Sequence, residues 1–203
     1  MTEKELNDSI RFRKEYEMEI YFSSDLHLGH RSVIGFQNRP FESVEEMNSG
    51  IIHNFNSVVR RDDILYILGD LSYRIPESQA NELIKRINGR KILIRGNHDG
   101  HYDKSLFEEI YDYKEFKQEK IKYVLMHYPL MEWNGSRHGG SIHLHGHIHS
   151  NGVYNEENRM NGILRYDVGV DANNYYPVSL RYIRSYFADS VRLLFEDVVK
   201  LGE

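Results

Sequence analysis

The chain has 203 residues, of which 40% are hydrophobic and 28% are charged. This is the composition of a globular protein, because disordered and fibrous chains hold too little apolar surface to build a core. The formal net charge is −5, which disfavours a protein that coats nucleic acid nonspecifically. The chain has no cysteine, so disulfides, thiolate nucleophiles and sulfur-ligated zinc are excluded.

We expect one domain spanning residues 1–203, because this length suits a single core and no linker-like or repeated segment divides it. The first twenty residues mix both charge signs and lack the pattern of a secretory signal. No apolar run approaches the roughly 20 residues that cross a bilayer. We therefore expect a cytoplasmic protein without a membrane partner.

Short runs rich in β-branched and aromatic residues predict buried strands at residues 18–22, 64–68, 91–94, 121–126, 141–144 and 163–168. A capping box from Ser43 to Glu46 begins one predicted helix. A second helix is predicted over residues 77–87, ending at Asn88-Gly89. Strands that alternate with helices predict an α/β fold with parallel strands.

Three further segments follow. Residues 134–140 and 151–161 are rich in Asn, Gly and Ser or charged residues and are predicted to be exposed loops. Apolar residues at helical spacing near the end of the chain predict an amphipathic helix that packs on the body of the protein. These residues are Phe187, Val191, Leu194, Phe195 and Val198.

Side chains that can bind metal ions follow the ends of five predicted strands. In chain order, the blocks are Asp25-Leu26-His27, Gly69-Asp70, Gly96-Asn97-His98-Asp99, His127 and Gly146-His147-Ile148-His149. Because ligands of open α/β sheets bind at the carboxyl ends of the strands, these blocks should converge. The donors are too many for one ion, but they suit two ions about 3.5–4 Å apart that share a carboxylate.

The residues around these donors also have expected roles. Gly69, Gly96 and Gly146 lie where the chain turns off a strand and its backbone must come close to an ion. His143 and His145 alternate with His147 and His149, but Gly146 should break the register. We therefore predict that His143 and His145 support the site or the core and do not bind metal.

The order and number of these blocks resemble those of the calcineurin-like metallophosphoesterases, over a stretch from Asp25 to His149 that continues to Asp167-Val168-Gly169-Val170-Asp171. Within that superfamily, the opening Ser24-Asp25-Leu26-His27-Leu28-Gly29-His30 and the short length resemble small single-domain phosphoesterases of bacteria and phages. The resemblance implies a fold of two packed mixed β-sheets flanked by helices, a four-layer α/β sandwich.

The resemblance also implies the roles of the site residues. Asp25, His27 and His149 would hold one metal ion, Asn97, His127 and His147 a second, and Asp70 would bridge the two. Manganese is the first choice, and the oxygen and imidazole donors also permit iron, zinc, nickel or cobalt. A hydroxide that bridges the ions would attack the phosphorus. His98 would protonate the leaving oxygen, with its tautomer fixed by Asp99 or by a backbone carbonyl.

The expected partner is a small-molecule phosphate ester, either a phosphodiester or a phosphomonoester, and a nucleotide is one candidate. His30 is close enough to His27 in sequence to contact this substrate. Arginines at positions 31, 39, 74 and 137 lie near the blocks, and Arg39 is the predicted phosphate ligand among them. We expect an open pocket shaped by residues 29–41, 72–78 and 134–140, which favours diesters slightly.

Two other functions stay open. A non-catalytic interaction scaffold can use the same fold, but degenerate scaffolds of this family lose metal ligands or the equivalent of His98, and here each position is filled. A nuclease is disfavoured by the acidic net charge, although nucleic acid stays open as a substrate. A di-iron redox protein is disfavoured because the helices lack Glu-x-x-His pairs. The oligomeric state is left open.

Overall fold

Two mixed β-sheets form the centre of the protein in the computed structural model, which describes residues 18–188. The first sheet has the order β4-β3-β2-β1-β9 and the second has the order β5-β6-β7-β8. The first sheet contains β1 (Ile20–Ser23), β2 (Ile64–Ile67), β3 (Arg90–Ile94), β4 (Glu109–Tyr111) and β9 (Val178–Ser179). The second contains β5 (Lys114–Gln118), β6 (Ile121–Leu125), β7 (Ser141–His145) and β8 (Arg165–Asp167). All neighbouring strands are parallel except β9 beside β1 and β5 beside β6.

Five helices of the described part surround the sheets: α1 (Arg31–Phe36), α2 (Val44–Val58), α3 (Glu77–Lys85), α4 (Gly152–Met160) and α5 (Leu180–Tyr186). Apolar side chains of both sheets, such as Phe22 of β1 and Leu144 of β7, share one core between the sheets. On the other face of the first sheet, Phe55 of α2 and Leu83 of α3 pack in a second core with Ile67. The predicted α/β fold of two packed sheets flanked by helices is confirmed.

The predicted strands and the first two predicted helices lie within about two residues of the observed elements. Ser43 caps α2 by accepting a hydrogen bond from the Glu46 amide at 3.1 Å, as predicted. The Glu46 carboxylate accepts from the amide of Glu42 instead of that of Ser43, at 2.7 Å. Strand β5 was not predicted, because it is a charged edge strand from which Phe116 packs against the core.

The prediction of a loop over residues 151–161 is wrong, because this segment contains helix α4. Asn151 caps the helix by accepting a hydrogen bond from the Val153 amide at 3.2 Å. The buried residues of the helix are Asn155 and Asn158, so the apolar stripe that reveals most helices is missing. Asn155 instead pairs with the backbone of Asp167, donating to its carbonyl at 3.0 Å and accepting from its amide at 2.7 Å.

The predicted C-terminal helix falls mostly outside the described residues. Phe187 lies within them and is fully buried in the core between the sheets. Val191, Leu194, Phe195 and Val198 lie beyond residue 188. Among the helices of residues 18–188, none combines the length and the apolar character that crossing a membrane requires.

Candidate metal centre

The turns that follow the first three strands are bonded to one another. The amide of Asp25 donates to the carbonyl of Gly69 and the amide of His27 to the carbonyl of Asp70, each at 3.0 Å. The amide of His98 donates to Asp70 Oδ1 at 2.9 Å. Because β1, β2 and β3 are parallel, these bonds bring three of the predicted blocks to one end of the first sheet.

The second sheet brings the remaining two blocks to the same place. The amide of Gly146 donates to the carbonyl of His127 at 2.9 Å, which joins the ends of β6 and β7. The amide of His147 donates to Asp25 Oδ2 at 2.9 Å and so connects the two sheets. All five blocks therefore meet at the carboxyl ends of the strands, as predicted.

The donors form two adjacent clusters. One cluster contains Asp25, His27 and His149, and the other contains Asp70, His127 and His147, with candidate ligand atoms within 4.8 Å of one another in each. Asp70 faces both clusters, because its Oδ2 lies 3.6 Å from Nε2 of His27 and 3.6 Å from Nε2 of His127. Asn97 Oδ1 lies 3.0 Å from His127 Nε2 and adds an amide oxygen to the second cluster.

Hydrogen bonds orient the imidazoles toward the clusters. His127 donates from Nδ1 to the carbonyl of Leu68 at 2.7 Å, and His149 donates from Nδ1 to Asp171 Oδ2 at 2.8 Å. Each bond leaves Nε2 available as a ligand, and such a bond is typical of metal-binding histidines. His149 Nε2 lies 3.1 Å from His27 Nε2, so the two nitrogens converge on the same space.

The electrostatics of the site fit divalent cations. Asp25 is fully buried, and this burial raises its pKa to about 8, so a nearby positive charge is needed to keep it ionised at neutral pH. Burial lowers the pKa of His27 to about 2 and keeps it in the neutral form that binds metals. Burial alone would lower the pKa of His149, but its hydrogen bond to Asp171 and the charge of Asp25 raise it. The carboxylates of the site therefore favour a positive charge next to the neutral imidazole of His27.

All three predicted glycines allow the backbone to touch the candidate ligands. A Cβ atom at Gly69 would lie 2.5 Å from His127 Nδ1. A Cβ atom at Gly146 would lie 1.8 Å from Ser24 Oγ and 2.4 Å from Asp25 Oδ2. A Cβ atom at Gly96 would lie 2.3 Å from Asp70 Oδ1. Any side chain at these positions would displace a carboxylate or an imidazole of the site, so the close approach expected at these glycines is present.

Several candidate ligands have strained backbones. A positive φ, between 45° and 73°, occurs at Asp25, His27, Asp70, His147 and His149. Each such conformation lowers the free energy of unfolding by about 1–3 kcal/mol, and backbone strain of this kind is typical of functional sites. The hydrogen bonds between the turns hold these conformations.

His98 and Asp99 have different surroundings. His98 is exposed, its ring centroid lies 5.7 Å from that of His27, and its imidazole forms no hydrogen bond within residues 18–188. The expectation that Asp99 fixes the tautomer of His98 is wrong. The Asp99 carboxylate accepts hydrogen bonds from the amides of Asp70, Leu71 and Gly96 at 3.0, 2.9 and 2.8 Å. Asp99 thus supports the turn that carries Asp70.

The two predicted substrate ligands also differ. His30 lies beside the site, with Nδ1 3.3 Å from His27 Nδ1. Arg39 does not contact any surface that a substrate can reach, because its side chain is fully buried. Its guanidinium donates to both carboxylate oxygens of Asp171 at 2.8 Å and to the carbonyls of Asp25 and Leu26 at 2.8 and 2.9 Å. Arg39 therefore holds in place the turn that carries the candidate ligands Asp25 and His27.

Asp171 is a site residue that the sequence did not assign. It accepts hydrogen bonds from both Arg39 and His149, but the only signal for it was its place at the end of the resemblance to the family. The expectation that residues 134–140 shape the pocket is wrong, because this segment leads into the amino end of β7 and His147 follows the carboxyl end.

His143 and His145 lie on β7 and are fully buried. His143 donates from Nδ1 to the carbonyl of Val124 at 3.0 Å, and His145 donates from Nδ1 to the carbonyl of Gly146 at 2.9 Å. Neither residue belongs to the two clusters of the described residues, in agreement with the prediction that they support the core.

A family model described as calcineurin-like phosphoesterase matches residues 18–171, which contain both clusters. The chain belongs to the calcineurin-like phosphoesterase family. It is 38% identical over 166 residues to an uncharacterized protein of Methanocaldococcus jannaschii, covering 81% of this chain and 89% of that protein. It is 27% identical over 182 residues to the Gene 66 protein of Mycobacterium phage D29, covering 75% of this chain and 88% of that protein.

A solved structure has the same fold as this calcineurin-like phosphoesterase. It is a protein of unknown function from Aquifex aeolicus, with a TM-score of 0.66 and 29% identity, covering 83% of this chain and 99% of that chain. This similarity supports the arrangement of two sheets but assigns no substrate.

Proposed function

We propose that this protein is a phosphoric ester hydrolase that uses two divalent metal ions, manganese being the first choice. The observation that carries the proposal is the position of Asp70 Oδ2, 3.6 Å from the Nε2 atoms of both His27 and His127. One carboxylate between two groups of donors is the arrangement expected of a dinuclear site. Asp25, His27 and His149 would hold one ion, and Asn97, His127 and His147 the other.

Two divalent ions at this site would lower the pKa of water and neutralise charge on the phosphoryl oxygens. The protein residues supply the rest. His98 has an exposed imidazole beside the cluster, so it can hydrogen-bond a phosphoryl oxygen and protonate the leaving oxygen. The backbone amide of His98 donates a hydrogen bond to Asp70 Oδ1, which holds the backbone of His98 beside the bridging carboxylate.

Substrates of this hydrolase are expected to be phosphodiesters ahead of phosphomonoesters, because His30 lines an open groove beside the site and His98 is exposed. An open site accepts a second ester group, which a closed monoesterase pocket would exclude.

The test combines metal content and hydrolysis. Elemental analysis of purified protein, with and without added manganese, is run beside hydrolysis of p-nitrophenyl phosphate and bis-p-nitrophenyl phosphate. We expect two ions per chain and a rate that falls more than about 100-fold in Asp70→Asn, because a ligand to both ions is weakened. Asp62→Asn, at an exposed carboxylate before β2, is the control.

Failure to bind manganese, iron, zinc, nickel or cobalt would refute the dinuclear hydrolase and favour the interaction scaffold. Two bound ions without hydrolysis of either ester would refute the hydrolysis of simple aryl phosphate esters, while the metal site itself would stand.

A further inference from the structure

A groove of about 400 Å³ opens beside the candidate metal centre, within the size range of small-molecule sites. Its walls include His30, Arg31, Phe36, Tyr73 and Arg74. His30 joins the groove to the first cluster, because its Nδ1 lies 3.3 Å from Nδ1 of His27. A molecule that binds at the metal centre can therefore extend into this groove.

The groove presents aromatic surface. The Tyr73 ring lies 4.2 Å from the His30 ring and meets the His98 ring edge-on at 4.7 Å, measured between centroids. Phe36 is 78% exposed, and its ring meets that of His30 edge-on at 6.5 Å. Phe36 is exposed and Tyr73 is half-buried. Aromatic rings that remain accessible beside a phosphate site can stack on a nucleobase, which is worth about 1–3 kcal/mol per base.

The groove is also basic, although the chain as a whole is acidic. Arg31 and Arg74 are exposed, and within residues 18–188 neither forms an ion pair with a carboxylate. Arg74 lies over the Tyr73 ring, with Cζ 5.0 Å from its centroid. The backbone of Arg74 has φ of 51°, a conformation that arginine rarely adopts. Asp and Glu are absent from the groove walls.

We propose that this groove recognises nucleotides that carry a second phosphate group besides the one at the metal centre. The base would stack on Tyr73 and Phe36, and the second phosphate would bind Arg74 and Arg31 through charge-assisted hydrogen bonds. This inference rests on the proposed phosphoesterase function, because the first phosphate is the group that reaches the metal centre.

The experiment separates the base from the second phosphate. Calorimetry on manganese-loaded protein compares adenosine 3′,5′-bisphosphate, adenosine 5′-monophosphate and ribose 5-phosphate, since the first phosphate is expected at the metal centre, and phosphate release is followed in the same samples to account for turnover. We expect affinity to fall about tenfold at each step, since each lost contact is worth about 1.4 kcal/mol. A second arm measures inhibition of bis-p-nitrophenyl phosphate hydrolysis by the same compounds in the manganese-loaded protein.

The variants assign each step to a residue. Arg74→Asn should reduce the difference in affinity between the bisphosphate and the monophosphate, because Arg31 alone then remains to bind the second phosphate. Asparagine tolerates the positive φ at this position. Tyr73→Leu should abolish the difference between the monophosphate and ribose 5-phosphate, while Tyr73→Phe should keep it because the ring remains. Arg61→Asn, at an exposed position before β2 and so at the opposite end of the strand, is the control.

Equal binding of the three compounds would overturn the inference, and so would an Arg74→Asn variant that keeps the full preference for the bisphosphate. The calorimetric arm needs no catalysis. A loaded protein without esterase activity that still shows both affinity steps would therefore refute the proposed function and support the groove as a nucleotide site.

Discussion

Arg39 and Asp171 form a buried, two-pronged ion pair behind the candidate metal centre, with Arg39 Nε and one of its terminal nitrogens each 2.8 Å from a carboxylate oxygen of Asp171. Asp171 also accepts the Nδ1 proton of His149 at 2.8 Å. Burial alone would raise the pKa of Asp171, but the hydrogen bonds from His149 and Arg39 lower it. Asp171 is thus a stable carboxylate that fixes the ring of a predicted metal ligand.

Asp171→Asn should weaken metal binding at the first cluster. The amide cannot hold the Nδ1 proton of His149 as a carboxylate does, so the ligand loses basicity and orientation. We expect manganese affinity in the first cluster to fall about 10–100-fold, measured by calorimetric titration of chelator-treated protein. Asp62→Asn is the surface control. An affinity equal to that of the wild type would exclude this role for Asp171.

Arg39→Met should destabilise the whole protein. The substitution removes the charge that compensates buried Asp171 and leaves the carbonyls of Asp25 and Leu26 without their donors. We expect the free energy of unfolding to fall by about 3 kcal/mol, measured by urea denaturation. The free energy of unfolding of Arg39→Lys should fall between those of the wild type and Arg39→Met. An ammonium group keeps the positive charge but lacks the planar guanidinium that bonds both carboxylate oxygens. If Arg39→Met is as stable as Arg61→Met, the pair does not hold the turns.

His98→Ala should separate catalysis from metal binding. The imidazole of His98 has no hydrogen-bond partner within residues 18–188, so its removal leaves both clusters intact. We expect turnover of bis-p-nitrophenyl phosphate to fall about 100–10,000-fold, the usual range for a general acid, at unchanged metal content. His101→Ala, an exposed histidine three residues away, is the matched control. An unchanged rate in His98→Ala would refute its role as the acid.

Asp99→Asn should act on stability, since its carboxylate supports three backbone amides and accepts from the hydroxyl of Tyr102 at 2.9 Å. An asparagine has one acceptor oxygen and turns its NH₂ group toward amide donors. We expect the free energy of unfolding to fall by about 2 kcal/mol or more in Asp99→Asn and by about 1 kcal/mol in Tyr102→Phe, measured by urea denaturation. If Asp99→Asn lost turnover but kept the stability of the wild type, Asp99 would instead act by fixing the tautomer of His98.

Much of the fold and of the candidate site could be predicted, because the signals are local. Each of β1, β2, β3 and β6 contains a short apolar run, β7 alternates apolar residues with histidine, and a block of polar donors begins within two residues of the end of each strand. The carboxyl ends of parallel strands meet, so the order of the blocks was enough to predict that they converge.

The remaining features depend on contacts between distant residues. Arg39 and Asp171 are 132 positions apart, and arginine is usually exposed, so nothing near Arg39 indicated a buried partner. Helix α4 was missed because Asn155 and Asn158 form its buried face. The positive φ of Asp25 and His147 follows from hydrogen bonds between the two sheets, which no local pattern reveals.

His143 should make stability depend on pH at a distance from the metal ligands. Its Nδ1 donates to the carbonyl of Val124 and its Nε2 accepts from the amide of Leu130, each at 3.0 Å. The carbonyl of Tyr128 lies 3.3 Å from Nε2 and partly offsets this preference, but burial makes the folded protein favour the neutral ring. Burial, reinforced by the neighbouring His145, lowers the pKa of His143 from 6.5 to about 3. The unfolded chain therefore binds the proton more tightly, and stability falls as the pH drops from 6.5 toward 3.

Because the unfolded chain binds this proton, the free energy of unfolding of the wild type should be about 1.4 kcal/mol lower at pH 5.5 than at pH 7.5. pH 5.5 is one unit below the pKa of histidine in the unfolded chain. His143→Gln lacks the titrating ring, so the decrease in its free energy of unfolding between these pH values should be smaller by that amount. Urea denaturation of chelator-treated protein at both pH values measures the difference, and the exposed His53→Gln controls for the loss of a surface histidine. Equal pH dependence in His143→Gln and wild type would contradict this prediction, because it would show that the buried ring takes up a proton without cost, for example by donating from Nε2 to the carbonyl of Tyr128.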